Sequence, residues 1–181
     1  MSKFTTGSSK SDYSKKILKI LAEKPAVSVM ELVDRALGAQ IAPKALSTYA
    51  LTRSLKGLTE AGFVESVSSG QNEYARLTNE GKRKAYSIKL ESGLVSTKWD
   101  GYWRMIMLDL PEERKSEREA LRYLLKKAGF VCVKNSVWVS MYPYENLFIN
   151  IKKDLGLTTE MMILVTDKID EETEKELIKM F

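Results

Sequence analysis

The chain has 181 residues, with 29 Lys and Arg, 24 Asp and Glu, one cysteine and no histidine. The missing histidine excludes Ser-His-Asp triads and histidine-ligated zinc, and the lone Cys132 excludes an intrachain disulfide. No apolar run approaches the roughly 20 residues that span a bilayer, and the N-terminus lacks the apolar stretch of a signal peptide, so we expect a cytoplasmic protein that does not bind a membrane.

The charge is unevenly distributed along the chain. Residues 1–91 contain 15 basic and 9 acidic residues, a surplus of six positive charges. Residues 92–181 contain 14 basic and 15 acidic residues, a net charge of −1. A basic half joined to a neutral half is typical of a polyanion-binding domain attached to a second module, although a chance excess on a solvated surface gives the same count.

Three helices are predicted after a Ser-, Thr- and Lys-rich tail at residues 1–11, which we expect to be disordered. Each helix has apolar residues at helical spacing, followed by proline or glycine. The second helix begins near Ser28, and the third follows Pro43 and ends near Ala61. The apolar positions are Ile17, Leu18, Leu21 and Ala22 in the first, Met30, Val33, Ala36 and Leu37 in the second, and Leu51, Leu55 and Leu58 in the third.

A β-hairpin and a closing helix are predicted next. Strand-like runs at residues 63–67 and 73–77 flank the turn-rich segment SSGQN, and a further helix begins at Thr78. This is the element order of a winged helix. The segments 52–63 (TRSLKGLTEAGF) and 77–81 (LTNEG) resemble the end of a winged-helix recognition helix and the sequence that often follows the wing. Residues 12–91 are therefore predicted to form a winged-helix DNA-binding domain.

The third helix has the side chains of a recognition helix. Opposite its leucines, at about 100° per residue, it carries Tyr49, Thr52, Arg53 and Lys56. Arginine can donate two hydrogen bonds to guanine, threonine can contact a thymine methyl group, and lysine and tyrosine can bind phosphate. We predict that these four residues contact double-stranded DNA in the major groove. The alternative is a polar helix surface that faces only water.

Two further groups of residues are candidates for DNA contact. Gln71 and Asn72 lie at the predicted wing tip and can hydrogen-bond to phosphates or to the minor groove, although the tip carries no Lys or Arg. Lys82 and Arg83 lie in a basic run near the start of the final helix. The alternative for this run is an ordinary solvated surface.

The second half of the chain follows a linker at residues 92–98 and is predicted to be a domain at 99–181. Its elements occur in the order β-α-β-β-α-β, which is that of a ferredoxin-like fold, so the fold class is α+β. Both crossover helices then lie on one sheet face, and the other face needs a cover, so we expect a homodimer. The strands are predicted at 103–110, 130–133, 137–141 and 161–165, and the helices at 115–128, 144–155 and 170–181.

Several segments of this half resemble one known family. Residues 99–104 (WDGYWR) lead into 108–112 (LDLPE), and 128–130 (AGF) is followed by 136–143 (SVWVSMYP). These segments look like the middle domain of PaaX-like transcriptional repressors, a domain similar to the small CRISPR-associated endonucleases. The resemblance extends over the chain in order, from the winged helix to the ferredoxin-like domain.

The resemblance implies a dimeric DNA-binding repressor. We expect it to bind a palindromic operator and to need no cofactor. Typical family members continue into a further C-terminal domain, whereas this chain stops at Phe181. The family is known for aryl-acyl-coenzyme A effectors. Because the third domain is expected to be absent, that ligand is not carried over, and the effector stays unknown.

Asp109 supports an alternative hypothesis of catalysis. It lies at the end of the first predicted strand of the second domain, where the CRISPR-associated endonucleases have a metal-binding aspartate. Two such residues facing each other across a dimer could hold Mg²⁺ and activate water for phosphodiester cleavage. The chain would then be an endonuclease or a DNA-gripping subunit of a CRISPR adaptation complex. The structural alternative is that Asp109 stabilises the turn before Pro111.

The remaining candidates have structural interpretations. Asp100 and Arg104 are predicted to form an ion pair that pins the linker to the domain. Cys132 is predicted to be inert core. The aromatic residues are interpreted as core and interface, with a ligand pocket as the alternative; they are Trp99, Tyr102, Trp103, Trp138, Tyr142 and Tyr144.

Overall fold

The chain divides into two compact units. The computed structural model of the chain describes residues 9–38, 44–92 and 98–181. The first unit is Met1–Ile88 and the second is Lys89–Phe181. Residues 1–8 of the predicted tail, Pro43 and most of the predicted linker lie outside the described residues.

The first unit has the element order predicted for a winged helix. A small antiparallel sheet has the strand order β1-β3-β2, and the β2-β3 hairpin follows the third helix directly. The elements are α1 (Ser9–Leu21), β1 (Val27–Ser28), α2 (Val29–Leu37), α3 (Lys44–Glu60), β2 (Val64–Ser69), β3 (Asn72–Leu77) and α4 (Asn79–Glu91).

One apolar core holds this unit together. Ile17 of α1, Leu32 of α2 and Leu51 of α3 are fully buried in it. The start of α2 is fixed by Ser28, whose Oγ accepts a hydrogen bond from the backbone N–H of Glu31 at 3.1 Å. This contact satisfies one of the backbone donors that a helix leaves unpaired at its start.

The hairpin is closed by a tight corner at the start of α4. The Thr78 hydroxyl donates to the carbonyl oxygen of Gly62 at 2.6 Å and accepts from the N–H of Gly81 at 3.0 Å. A Cβ atom at Gly81 would lie 1.9 Å from the carbonyl oxygen of Phe63. The backbone therefore approaches so closely that only glycine fits at position 81.

The second unit is a ferredoxin-like domain, which confirms the predicted α+β fold class. Its four strands are all antiparallel and have the order β5-β6-β4-β7. A 3₁₀ turn at Glu112–Arg114 follows the first strand. The elements are β4 (Trp103–Leu108), α5 (Lys115–Lys127), β5 (Val131–Lys134), β6 (Val137–Ser140), α6 (Glu145–Asp154), β7 (Met161–Thr166) and α7 (Glu171–Ile178).

The two faces of this sheet are covered differently. The β-α-β crossovers place α5 and α6 on one face, where Ile106 of β4 and Phe148 of α6 are fully buried. On the other face, Leu177 of α7 packs with Trp103 and Val139. The C-terminal helix therefore provides part of the cover that the sequence led us to expect from a partner subunit.

The structure differs from the sequence predictions at several places. Ala22, predicted among the apolar positions of the first helix, is exposed and follows the end of α1. Residues 9–11, predicted to belong to a disordered tail, are the first residues of α1. Met30, predicted to lie on the apolar side of the second helix, is 78% exposed. Cys132, predicted to be inert core, is exposed, because it lies on the outermost strand β5 beside a β-bulge, and its Sγ lies 3.3 Å from the carbonyl oxygen of Lys134.

A buried guanidinium fixes the entry to the second unit. The Arg104 side chain is 3% exposed. Its Nη2 donates to Asp100 Oδ2 at 2.7 Å, and its Nε donates to Glu145 Oε2 at 2.8 Å. The predicted Asp100–Arg104 pair is therefore confirmed, and Glu145 is a second partner that sequence reasoning missed. The hydrogen bonds from Arg104 lower the pKa of Asp100 from 3.8 to about 2.

Replacing Gly81 by alanine is expected to destabilise the first unit. The new Cβ collides with the Phe63 carbonyl, so Gly81→Ala is expected to lower the free energy of unfolding by about 1–3 kcal/mol or more. Gly57→Ala is the matched control, because a Cβ at Gly57 in α3 would meet nothing within 4 Å. That control should gain about 0.5–1 kcal/mol. Urea unfolding of both variants checks the pair, and equal effects would contradict the close approach at position 81.

The Asp100–Arg104 pair is expected to make stability depend on pH in acid. Because folding lowers the pKa of Asp100 from 3.8 to about 2, the stabilisation is complete above the unfolded-state pKa and is lost as pH falls toward the folded-state value. Asp100→Asn should be less stable than the unchanged chain at pH 6, and the difference should shrink between pH 4 and pH 2. Urea unfolding of the unchanged chain and of Asp100→Asn across this pH range measures the difference. Asp109→Asn, which alters an exposed carboxylate, is the control. A difference that does not change with pH would contradict the assignment.

Candidate nucleic-acid interface

The rotation of α3 is set by the residues that it buries. Leu51, Ser54 and Leu58 are 0%, 4% and 7% exposed and face the core of the first unit. Successive residues of a helix are about 100° apart around its axis, so residues three or four positions apart lie on the same side. The exposed side of the helix carries all four residues that were predicted to contact DNA, Tyr49, Thr52, Arg53 and Lys56.

The polar groups on this side of α3 make few strong contacts within the protein. The Thr52 hydroxyl donates to the carbonyl oxygen of Thr48 at 2.9 Å, which leaves its lone pairs available as acceptors. Lys56 Nζ lies 3.8 Å from Glu60 Oε1, and both side chains are largely exposed. Ion pairs of this kind contribute little to stability. Within the described residues, no carboxylate pairs with Arg53. The cations of α3 can therefore bind an anionic ligand without breaking a strong contact.

The hairpin tip has the predicted turn but no positive charge. Ser69 and Asn72 face each other across the two strands, and Gly70 and Gln71 form the connection. Gly70 has φ +62°, which a two-residue turn with glycine in the first position requires. Gln71 and Asn72 are exposed and can donate hydrogen bonds, but no lysine or arginine accompanies them at the tip.

In the basic run of α4, Lys82 and Arg83 are partly buried, and Arg83 forms an ion pair within the helix. The Arg83 side chain is only 11% exposed and pairs with Glu80, one turn earlier on the same helix. Lys82 is half-buried. The i, i+3 spacing of Glu80 and Arg83 is the sequence signal for this pair, and sequence reasoning did not use it. Arg83 is therefore less accessible to a ligand than the exposed Arg53 of α3.

The exposure of one apolar side chain on α2 was missed. Met30, the second residue of α2, presents most of its surface to solvent. The sequence gives a partial signal, because Met30 directly precedes Glu31, whose carboxylate binds Lys24 at 2.6 Å on the helix surface. An apolar side chain flanked by surface ion pairs is consistent with a position outside the core.

Asp109 lies at the end of β4 among residues that are already paired. Its backbone N–H donates to the carbonyl oxygen of Glu160 at 2.8 Å, and its side chain is exposed. The Glu160 carboxylate accepts a hydrogen bond from Arg114 at 2.5 Å, and Arg114 also binds Glu117 at 2.8 Å. Among residues 9–38, 44–92 and 98–181, no group of three or more His, Cys, Asp or Glu residues is placed to hold a metal ion.

A comparison with known protein families finds a match for the second unit. Residues 96–178 match the family model of the PaaX protein central Cas2-like domain. The second unit is therefore similar to this Cas2-like domain over nearly all of its length. The match confirms the family resemblance for this part of the chain. A comparison with curated proteins gave no match. Within the part of the chain that the structure describes, no helix is both long and apolar enough to cross a bilayer.

The surroundings of Asp109 lead to a prediction about catalysis by this Cas2-like domain. One exposed carboxylate beside an Arg114–Glu160 pair is a weak ligand set for Mg²⁺. We therefore expect no cleavage of double-stranded DNA or single-stranded RNA by the purified chain in Mg²⁺ or Mn²⁺.

Gel electrophoresis of end-labelled substrates measures this, with Asp109→Asn as the paired variant. Cleavage by the unchanged chain that Asp109→Asn abolishes would contradict the prediction.

Proposed function

We propose that the chain is a sequence-specific transcriptional regulator that binds double-stranded DNA, acting as a repressor and as a homodimer on a palindromic operator. The observation that carries the proposal is the orientation of α3. Leu51 and Leu58 are buried in the core, so that the side chains of Tyr49, Thr52, Arg53 and Lys56 project together into solvent.

The chemistry of that surface suits base recognition. The Arg53 guanidinium can donate in parallel to O6 and N7 of guanine, and the Thr52 methyl group can contact thymine. Lys56 and Tyr49 suit phosphate oxygens, which position a protein but carry little sequence information. Because the hairpin tip has no cation, α3 supplies most of the specificity in this proposal, and the wing adds hydrogen bonds from Gln71 and Asn72.

The architecture of the chain supports a regulator. The positive surplus belongs to the half that contains α3, and counterion release makes such a surplus favour DNA. The second half matches the model of the central domain of PaaX proteins, and we carry over a regulatory role from that similarity. A two-fold dimer of such chains would place two copies of α3 in successive major grooves, and bound dimers would block a promoter by occupancy.

The match to a Cas2-like domain also favours a second candidate, a DNA-gripping subunit whose second unit holds the duplex without reading its sequence. This candidate predicts that the arginines of α5, Arg118 and Arg122, contribute more to DNA affinity than Arg53 of α3. The two candidates therefore differ in which unit carries the affinity and in whether the affinity depends on sequence.

Arg53→Ala is expected to weaken binding to a preferred DNA sequence by about 1–3 kcal/mol and to relax the preference at one base position. The reason is the loss of a two-donor contact to a base edge. Quantitative gel shifts at fixed salt, on a duplex that the chain itself has enriched from a random pool and on single-base variants of it, measure both effects.

Arg122→Ala is the matched control, because Arg122 is a partly exposed arginine on a helix of the other unit, paired with Glu119 at 3.0 Å. The control should leave affinity and preference unchanged. If Arg122→Ala weakens binding while Arg53→Ala does not, the DNA is held by the second unit and the assignment of α3 is wrong.

A further inference from the structure

The two outer strands of the second unit's sheet differ in how they are protected. β5, on one side, is four residues long, has a β-bulge between Cys132 and Lys134, and carries a lysine. Short length, bulges and lysines are the usual means by which proteins prevent an outer strand from pairing with another chain. β7, on the other side, is six residues long and has a regular register with β4.

β7 lacks those protections over its apolar part. Residues 161–165 are MMILV, with no charged residue and no proline. Among the described residues, β4 is its only strand neighbour. Met162, Leu164 and Val165 are 55%, 43% and 46% exposed, an unusual state for the most apolar strand of the chain.

The exposed side chains lie on both faces of the sheet. Met162 and Leu164 share one face, because successive strand residues alternate, and they lie beside Met107 and Met105 of β4. Val165 lies on the face covered by α5 and α6. The helices that cover the two faces therefore leave the outer side of β7 exposed. A further helix packed on one face would still leave the apolar side chains of the other face exposed.

We propose that β7 pairs antiparallel with β7 of a second copy of this chain, across a two-fold axis that passes through the sheet near Ile163. This joins the two four-stranded sheets into one continuous sheet. The inference rests on the homodimer of the proposed function and specifies the surface through which it forms.

The strand is complementary to itself in this arrangement. In an antiparallel pair, residues directly opposite each other point to the same side. Centred on Ile163, the pairing sets Met162 opposite Leu164 of the partner subunit on one face, and Met161 opposite Val165 of the partner subunit on the other. Every such pair is apolar, and each exposed side chain gains a neighbour on its own face. A second copy satisfies these conditions without any charged partner surface.

Lysine substitutions on β7 test the pairing. Leu164→Lys and Met162→Lys alter exposed side chains, so each subunit should keep its fold. In the dimer each lysine would lie opposite an apolar side chain of the partner subunit and diagonally across the two-fold axis from its own copy. We expect the dimer dissociation constant to rise by more than about 100-fold. Ile178→Lys is the matched control, since Ile178 is 50% exposed on α7, and it should stay dimeric. Sedimentation equilibrium of the full chain measures all three.

A disulfide provides a second readout. Directly opposite residues have Cα atoms about 4.5–5.5 Å apart, a distance that a disulfide can bridge. In a Cys132→Ser background, Ile163→Cys should form a covalent dimer on mild oxidation. The unchanged chain, whose exposed Cys132 lies on the opposite edge, should not.

The outcomes separate this inference from the proposed function. A monomeric unchanged chain, a dimer that survives both β7 lysines, or a dimer that only Ile178→Lys dissociates would each overturn the β7 pairing. A dimer that the β7 lysines dissociate and that Ile163→Cys cross-links would support it. A chain that dimerises in this way but shows no DNA sequence preference would overturn the regulator and leave the pairing intact.

Discussion

The burial of Leu51, Ser54 and Leu58 fixes the rotation of α3 about its axis, and the proposed DNA interface depends on that rotation. Burying one leucine stabilises a fold by about 1.5–3 kcal/mol. An exposed ion pair such as Lys56–Glu60 contributes only about 0–1 kcal/mol. The core therefore determines which side of the helix faces outward, and the polar side chains are displayed as a consequence. Recognition chemistry can then vary on the outer side without changing the fold.

The second unit has a different physical problem, which is how to cover a sheet with two faces and two edges. α5 and α6 cover one face, and Leu177 covers the Trp103 end of the other. Arg104 ties the entry strand to α6 through Glu145, so the sheet begins at a fixed point. Pairing β7 with a second copy would give its exposed side chains an apolar neighbour on each face and would relate the two copies by a two-fold axis. A palindromic operator has the same symmetry.

Most of the fold could be predicted because its signals are local. Apolar spacing located α3, the SSGQN segment located the hairpin, and apolar runs bounded by proline and glycine located the four strands of the second unit. The orientation of α3 also follows from its leucine spacing. Whether Tyr49, Thr52, Arg53 and Lys56 contact DNA stays a prediction, because helix periodicity shows which side faces outward and not what binds there.

The features that sequence reasoning missed depend on neighbours distant along the chain. Periodicity assigned Met30 to the core, but its side chain is exposed at the start of α2. It also assigned Cys132 to the core, although β5 is the last strand of its sheet. β1 has only two residues, too few to show alternation. The run at 161–165 reads as a buried strand, and its exposure becomes apparent only once the strand order places it at an edge.

Selection of bound duplexes from a random-sequence pool, read by sequencing, tests the central claim most directly. The account predicts enrichment of a palindromic motif whose half-sites are about one helical turn apart, roughly 10–10.5 base pairs from centre to centre, or a multiple of that distance. Recovery of duplexes with no common sequence, at an affinity that depends on salt alone, would contradict the claim that α3 reads DNA.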